Sequence, residues 1–89
     1  MKGFLSFLIL LILSKKDMNG QEIADEMERR KGERPSPGTI YPALKHLNKS
    51  GLIHEKKKGK TIIYNLTIQG KKSVNVAKQR FKKTFNDLI

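Results

Sequence analysis

Cysteine is absent from the 89 residues, which excludes a disulfide framework, a thiolate metal site and a cysteine nucleophile. Acidic side chains are scarce, 8 against 19 basic ones, for a formal charge of +11. No carboxylate cluster suits a metal or acid–base chemistry. The two histidines, His46 and His54, fall on a predicted helix end and a predicted strand with no such partner. The sequence therefore predicts no enzyme, no metal and no cofactor. It also has no apolar run long enough for a bilayer. Phe4–Leu13 reads FLSFLILLIL, about half the roughly 20 residues that a spanning helix needs. Lys2 ahead of that run resembles a secretory signal, but Ser14, Lys15, Lys16 and Asp17 follow it instead of a small-residue cleavage site. Internal repeats, low-complexity tracts and flexible linkers are missing too.

What is present is short, basic and uneven. A chain of this length is one domain that buries only about 60–65% of its unfolded surface, so self-association is expected. Residues 1–45 carry 8 basic and 6 acidic side chains, and residues 46–89 carry 11 and 2. A basic half beside a near-neutral one points to a polyanionic partner, nucleic acid before an anionic membrane surface. A charge that served solubility alone would give no reason for the asymmetry.

Residues 4–14 read as a helix that is apolar nearly all round. So small a monomer offers little to cover it, which makes a second copy the expected cover. Asn19 and Glu22 fit a capping box for a second helix. Its apolar stripe is Ile23, Ala24 and Met27, and Arg29, Arg30, Lys31 and Gly32 form its end. Ser36 as N-cap and Pro37 at the first position open a third helix over 36–49. In that helix Ile40, Leu44 and Leu47 face inward. Gly38, Pro42, Lys45 and Lys49 fall on the opposite face, with Tyr41 and Asn48 at its edge. Pro42 leaves two options: the regular helix starts near Tyr41, or its first turn is irregular and something offsets the cost.

After Gly51 the period changes from 3.6 to 2. Leu52–Glu55 and Thr61–Leu66 read as strands, joined by a basic loop over 56–60. Thr67 caps a last helix running to Ile89, in which Gly70 costs little. Its stripe is Val74, Ala77, Phe81, Phe85 and Leu88. The fold class is thus mainly α with a small β-hairpin: a winged helix-turn-helix over 1–66 and a C-terminal helix over 67–89. In a winged helix-turn-helix the second helix of the turn enters the major groove and the hairpin reaches the flanking backbone or minor groove. Ser36, Thr39, Tyr41, Lys45 and Lys49 supply hydroxyls and cations for that helix, and Lys57, Lys58 and Lys60 supply cations for the wing. Each has a plainer reading as a cap, a surface residue or a solvated loop. Together on one motif they favour double-stranded DNA.

The string Pro35-Ser36-Pro37-Gly38-Thr39-Ile40-Tyr41-Pro42-Ala43-Leu44-Lys45-His46-Leu47, followed by Gly51-Leu52-Ile53, resembles the signature of the PadR-like transcriptional regulators. Tyr64-Asn65-Leu66-Thr67-Ile68-Gln69-Gly70 is similar to that family's Tyr-x-Leu-Thr-x-x-Gly, and Lys2–Leu5 and Asn19–Ile23 extend the likeness over nearly the whole chain. The resemblance implies a cytoplasmic homodimeric repressor on a palindromic operator. It places Ser36, Gly38, Thr39, Tyr41 and Pro42 at the DNA with the wing lysines beside them. It also implies that the first and last helices form the dimer interface, here through Phe4, Leu5, Leu8, Leu11, Val74, Ala77, Phe81, Phe85 and Leu88. The chain departs from the family at Ile63, where a second tyrosine is frequent before Tyr64, and at Gln21, where tyrosine is common. It has no tryptophan, which members that bind flat aromatic drugs use, and it has one C-terminal helix where members taking phenolic ligands have a longer domain. No effector follows from the resemblance. The alternatives are a winged-helix module for an acidic protein partner and, more remotely, a membrane-surface peptide led by the first helix.

Overall fold

The computed structural model describes residues 2–88, with side chains for residues 4–84 and 86. Its elements are α1 (Lys2–Leu13), β1 (Met18–Asn19), α2 (Gly20–Lys31), α3 (Pro37–Lys49), β2 (Ile53–Lys58), β3 (Thr61–Leu66) and α4 (Ile68–Leu88). The helices follow the apolar periods of the sequence. β1 is a strand that the sequence reading missed. It is two residues long, and its pairing of Met18 with Tyr64 and Asn19 with Ile63 is a contact across more than 40 residues. The hairpin is therefore the outer part of a three-stranded antiparallel sheet in the order β1-β3-β2.

The caps place these elements. Asn19 accepts from the Glu22 amide at 2.8 Å, and the Glu22 carboxylate accepts from the Asn19 amide at 2.9 Å. This is the expected capping box, and it lets one residue end β1 and start α2. Gly32 closes α2 at φ 82. α3 ends in a Schellman motif: Gly51, at φ 78, donates to the Asn48 carbonyl at 3.1 Å, and Leu52 donates to the Leu47 carbonyl at 3.0 Å. Only a residue free of the Cβ clash takes that φ at low cost. Thr67 caps α4, accepting from the Gly70 amide at 2.9 Å, and its hydroxyl donates to the Gly51 carbonyl at 2.7 Å.

The core runs through all of these elements: Ile9 and Ile12 of α1, Ile23 and Met27 of α2, Ile40, Leu44 and Leu47 of α3, Ile53, Tyr64 and Leu66 of the sheet, and Val74 of α4. Each fully buried aliphatic side chain contributes about 1.5–3 kcal/mol. One expectation changes here. α1 does not need a second copy to cover it, because it touches α2, α3, α4 and β3 of its own chain and buries Leu8, Ile9, Leu10, Ile12 and Leu13 among them. Leu5, Ser6, Phe7 and Leu11 remain half-buried and Phe4 exposed, so one stripe of α1 is left open.

The strands are longer than expected. Lys56, Lys57 and Lys58 belong to β2 and pair with Ile63, Ile62 and Thr61. Only Gly59 and Lys60 remain in the turn. Gly59 has φ 65, and among the described residues no non-glycine residue, Lys60 included, has positive φ, as in a two-residue II′ turn whose twist matches that of the strands. Backbone pairing overrides the weak strand preference of lysine.

Candidate nucleic-acid interface

α3 is fixed by three side chains. Ile40, Leu44 and Leu47 are each 2% exposed or less. This leaves Gly38, Thr39, Tyr41, Pro42, Lys45 and Lys49 on the outside. Ser36 stands at the N-cap with extended φ and ψ, but its side chain makes no cap bond. Its hydroxyl lies 3.1 Å from that of Thr39, so these two pair with each other. Thr39 and Ile40 both donate to the Ser36 carbonyl, and Pro37 has no N–H. The Gly38 N–H is thus the first-turn amide without a backbone acceptor.

The helix continues through Pro42, which is its sixth residue. The regular helix therefore starts at Pro37 and not near Tyr41. Proline brings no amide, so the Gly38 carbonyl loses its intrahelical donor four residues on. One turn of α3 thus presents an unused carbonyl and an unused amide at Gly38, where a Cβ would meet only the Ser36 hydroxyl at 3.9 Å.

Tyr41 is 42% exposed, and its ring has a neighbour that the sequence did not reveal. Gly20, the first residue of α2, is buried, and a Cβ there would lie 2.7 Å from the Tyr41 ring and hydroxyl. Glycine lets the ring lie against the α2 backbone. The contact bridges 21 positions, so no local pattern signals it. From there a groove runs to the wing, lined by Gln21, Tyr41, Lys60, Thr61, Ile62 and Tyr64 among others. α3 and the wing tip thus meet in one concavity.

Register sorts the wing lysines. Strand partners share a face. Lys57 stands opposite Ile62, on the face of Tyr64, Leu66 and Ile53, which is the face turned toward the helices. Lys56 and Lys58 stand on the other face with Ile63 and Thr61. All three are exposed, as is Lys60. Ile62, at 41% exposure, is an apolar residue in the groove that the sequence reading passed over as an ordinary strand residue.

The turn between α2 and α3 is tied down by Arg34. It pairs with Asp25, lies 3.4 Å from Glu28, and donates to Gln21 at 3.3 Å, all three on α2. Arg29 and Arg30 pair with Glu26, at 2.5 and 3.3 Å. Arg29 first, then Arg30, holds the Glu26 carboxyl below the ordinary carboxylate range. Asp25, Glu26 and Glu28 of α2 are thereby paired with Arg29, Arg30 and Arg34, and among the described residues the lysines of α3 and the wing are in no ion pair. Sequence periodicity missed Arg34 because its partners lie nine, six and thirteen positions away across a turn.

The residues expected at a dimer interface divide. Leu8, at 8% exposure, and Val74, at 2%, belong to the protomer's own core. Leu5, Leu11 and Ala77 are half-buried. Phe4 and Phe81 are exposed, at 53% and 72%. Phe85 and Leu88 lie outside the residues whose side chains are described. Beyond Ala77 every described side chain of α4 is exposed.

Comparison with known proteins agrees with this architecture. The profile of the transcriptional regulator PadR-like family matches residues 9–76. The transcriptional activator GvpE1 of Halobacterium salinarum is 35% identical over 60 residues, which span 67% of this chain and 31% of GvpE1. A PadR family transcription regulator from Clostridium difficile superposes with a TM-score of 0.77 at 33% identity, over 96% of this chain and 97% of that one. RosR of Halobacterium salinarum gives a TM-score of 0.87 at 28% identity, over 91% and 74%. GvpE1 and the Clostridium difficile protein are named as transcription regulators. Among the described residues no group of three or more His, Asp or Glu is placed to hold a metal, and no helix is long and apolar enough to cross a membrane. The profile covers the second helix, the third helix, the wing and the start of the fourth, and the chain belongs to the PadR-like family of transcriptional regulators.

Proposed function

We propose that the chain is a dimeric, sequence-specific binder of double-stranded DNA that represses transcription by occupying a two-fold symmetric operator. The observation that carries this reading is the groove shared by Tyr41 of α3 and Lys60, Thr61 and Ile62 of the wing. α3 is the helix that fits a major groove about 12 Å wide. The Gly38 amide and the Ser36 and Thr39 hydroxyls are donors for phosphate at its N-terminus. Tyr41, Pro42 and Lys45 follow along the groove, and Lys49 reaches the backbone. Lys57, Lys58 and Lys60 neutralise phosphates flanking the site. The work divides at residue 67. Residues 1–66 form the DNA-binding part, and residues 67–89 form the association helix, whose first turns also complete the core. A 72% exposed Phe81 on a helix projecting from that core supports pairing with a second copy. The protein acts in the cytoplasm with the DNA that it binds.

Selection of bound sequences from random duplex DNA tests the reading. The expected product is a two-fold symmetric motif whose half-sites lie about 34 Å apart, or a multiple of that. Equal affinity for every duplex overturns it, as does loss of DNA binding to an acidic protein competitor at equal charge. Tyr41→Phe, and separately Lys57→Ala with Lys58→Ala, weaken operator binding and leave the dimer intact. Phe81→Glu gives monomers by sedimentation while the protomer keeps its helical content. The sign of regulation is read from a reporter whose promoter overlaps the selected site. Expression falls when the protein is supplied; a rise would assign this chain the activator role that GvpE1 is named for, without touching the DNA-binding assignment.

A further inference from the structure

We propose that the cleft between the α1–β1 loop and α4 binds a compact polyphosphate, at a site separate from the DNA-binding groove. The cleft measures about 610 Å³, within the range of small-molecule sites. Lys15 and Lys16 line one wall and Lys71 and Lys78 the other, with Leu66 and Val74 between them. Asp17 is the acidic residue in the lining, so the walls carry a net charge of +3. Among the described residues none of the four lysines is in an ion pair. Residues 68–86, which include the α4 wall, contain no Asp or Glu. Like charges gathered in a concavity concentrate a positive field and attract multivalent anions.

The donor set selects the anion. Lysine binds an anion as a mobile point charge and can follow a chain of phosphates, whereas the arginine fork fixes a single carboxylate or phosphate in bidentate geometry. The cleft lining holds four lysines and no arginine. Asn65 and Asn75 add carboxamides, and the half-buried Asn65 side chain has no hydrogen-bond partner among the described residues. The lining also holds no aromatic ring, so nothing is placed to stack a nucleobase. A chain of phosphates fits this chemistry; a base attached to it adds no contact.

The cleft is distinct from the DNA-binding groove. The two share no lining residue. A phosphate chain bound here therefore leaves Tyr41 and the wing tip uncovered.

Calorimetric titration of the full chain at low salt tests the proposal, with inorganic tripolyphosphate, a nucleoside triphosphate and the bare nucleoside as probes. Tripolyphosphate is expected to bind saturably, one per chain. The nucleoside triphosphate should bind no more tightly, and the nucleoside not at all. Lys71→Gln with Lys78→Gln, and independently Lys15→Gln with Lys16→Gln, should each weaken tripolyphosphate binding by about tenfold or more, the scale of lost charge-assisted hydrogen bonds. Lys57→Gln with Lys58→Gln removes the same charge from the wing and should change it less than about threefold. Operator affinity, measured on the same variants, should respond in the reverse order. Each of three results overturns the site: no saturable binding, equal loss in cleft and wing variants, or a nucleoside triphosphate that binds much more tightly than tripolyphosphate. Failure of the DNA-binding reading shows separately, in the operator measurement.

Discussion

Gly70 is the third residue of α4, where helix propensity alone favours alanine by about 1 kcal/mol. The tertiary structure reverses that sign. A Cβ at Gly70 would lie 2.1 Å from the backbone oxygen of Leu52, and a carbonyl held in a Schellman turn cannot move aside cheaply. Gly70→Ala should therefore cost about 3 kcal/mol, seen as a lower urea midpoint; an unchanged or higher midpoint would contradict the close approach. Tyr64 supplies a pH prediction. Burial, then the charges of Glu55 and Tyr41, raise its phenol above the ordinary value near 10. The folded chain thus holds this proton at pH values where the unfolded chain has lost it. That stability is complete below about pH 10 and is lost as pH rises through the folded value. Stability measured from pH 9 to 11 should fall more steeply for the native chain than for Tyr64→Phe, with lysine titration common to both. At this scale the sequence names residue types and misses contacts. Tyr41 and Lys60 were identified from residue type, but Gly20 and Gly70 owe their importance to groups 21 and 18 positions away.

Elements were mostly legible, because each helix carries its own period and its own caps: Asn19 with Glu22, Gly32, Gly51 and Thr67 act within a few residues of where they stand. What escaped was pairing. β1 is too short to show a period, and Lys56–Lys58 lack strand propensity; both are strands because β3 lies beside them. Pro42 gives the prediction for α3. Its ring costs the helix a hydrogen bond at the Gly38 carbonyl and a steric contact, of order 3 kcal/mol in a helix interior and less near an end. Pro42→Ala should raise the melting temperature by several degrees, about 1–2 kcal/mol in a domain of this size. It should also weaken operator binding if that carbonyl and ring face the DNA. A melting temperature that does not rise would mean that the surroundings of Pro42 already relieve its cost. For the wing, register makes Lys57 and Lys58 unequal. Lys57→Ala, on the helix-facing side, should reduce operator affinity more than Lys58→Ala, and equal losses would show a wing acting only through net charge.

For the whole molecule the charge of +11 now has addresses. Arg29, Arg30 and Arg34 are paired with carboxylates of α2, so most of the field comes from α3, the wing, the cleft and α4. Operator binding should fall steeply with salt, its logarithm dropping about 0.9 for each phosphate neutralised. Replacing Lys57 and Lys58 with alanine should lower that slope by about 2, whereas Lys82→Ala with Lys83→Ala, far along α4, should leave it nearly unchanged. A slope equally reduced by both pairs would mean that the far half of α4 also touches DNA. The sequence by itself determined the helices and their caps, the basic second half and the motif that names the family, because these depend on residue type and on spacings of a few positions. The tertiary structure alone decided that α1 is covered by its own chain, that Val74 and Leu8 belong to the protomer's core, which wing lysines face the helices, and that four lysines from two distant segments line one cleft. Those are relations between residues far apart in the chain, set by packing and strand register, which no local spacing encodes.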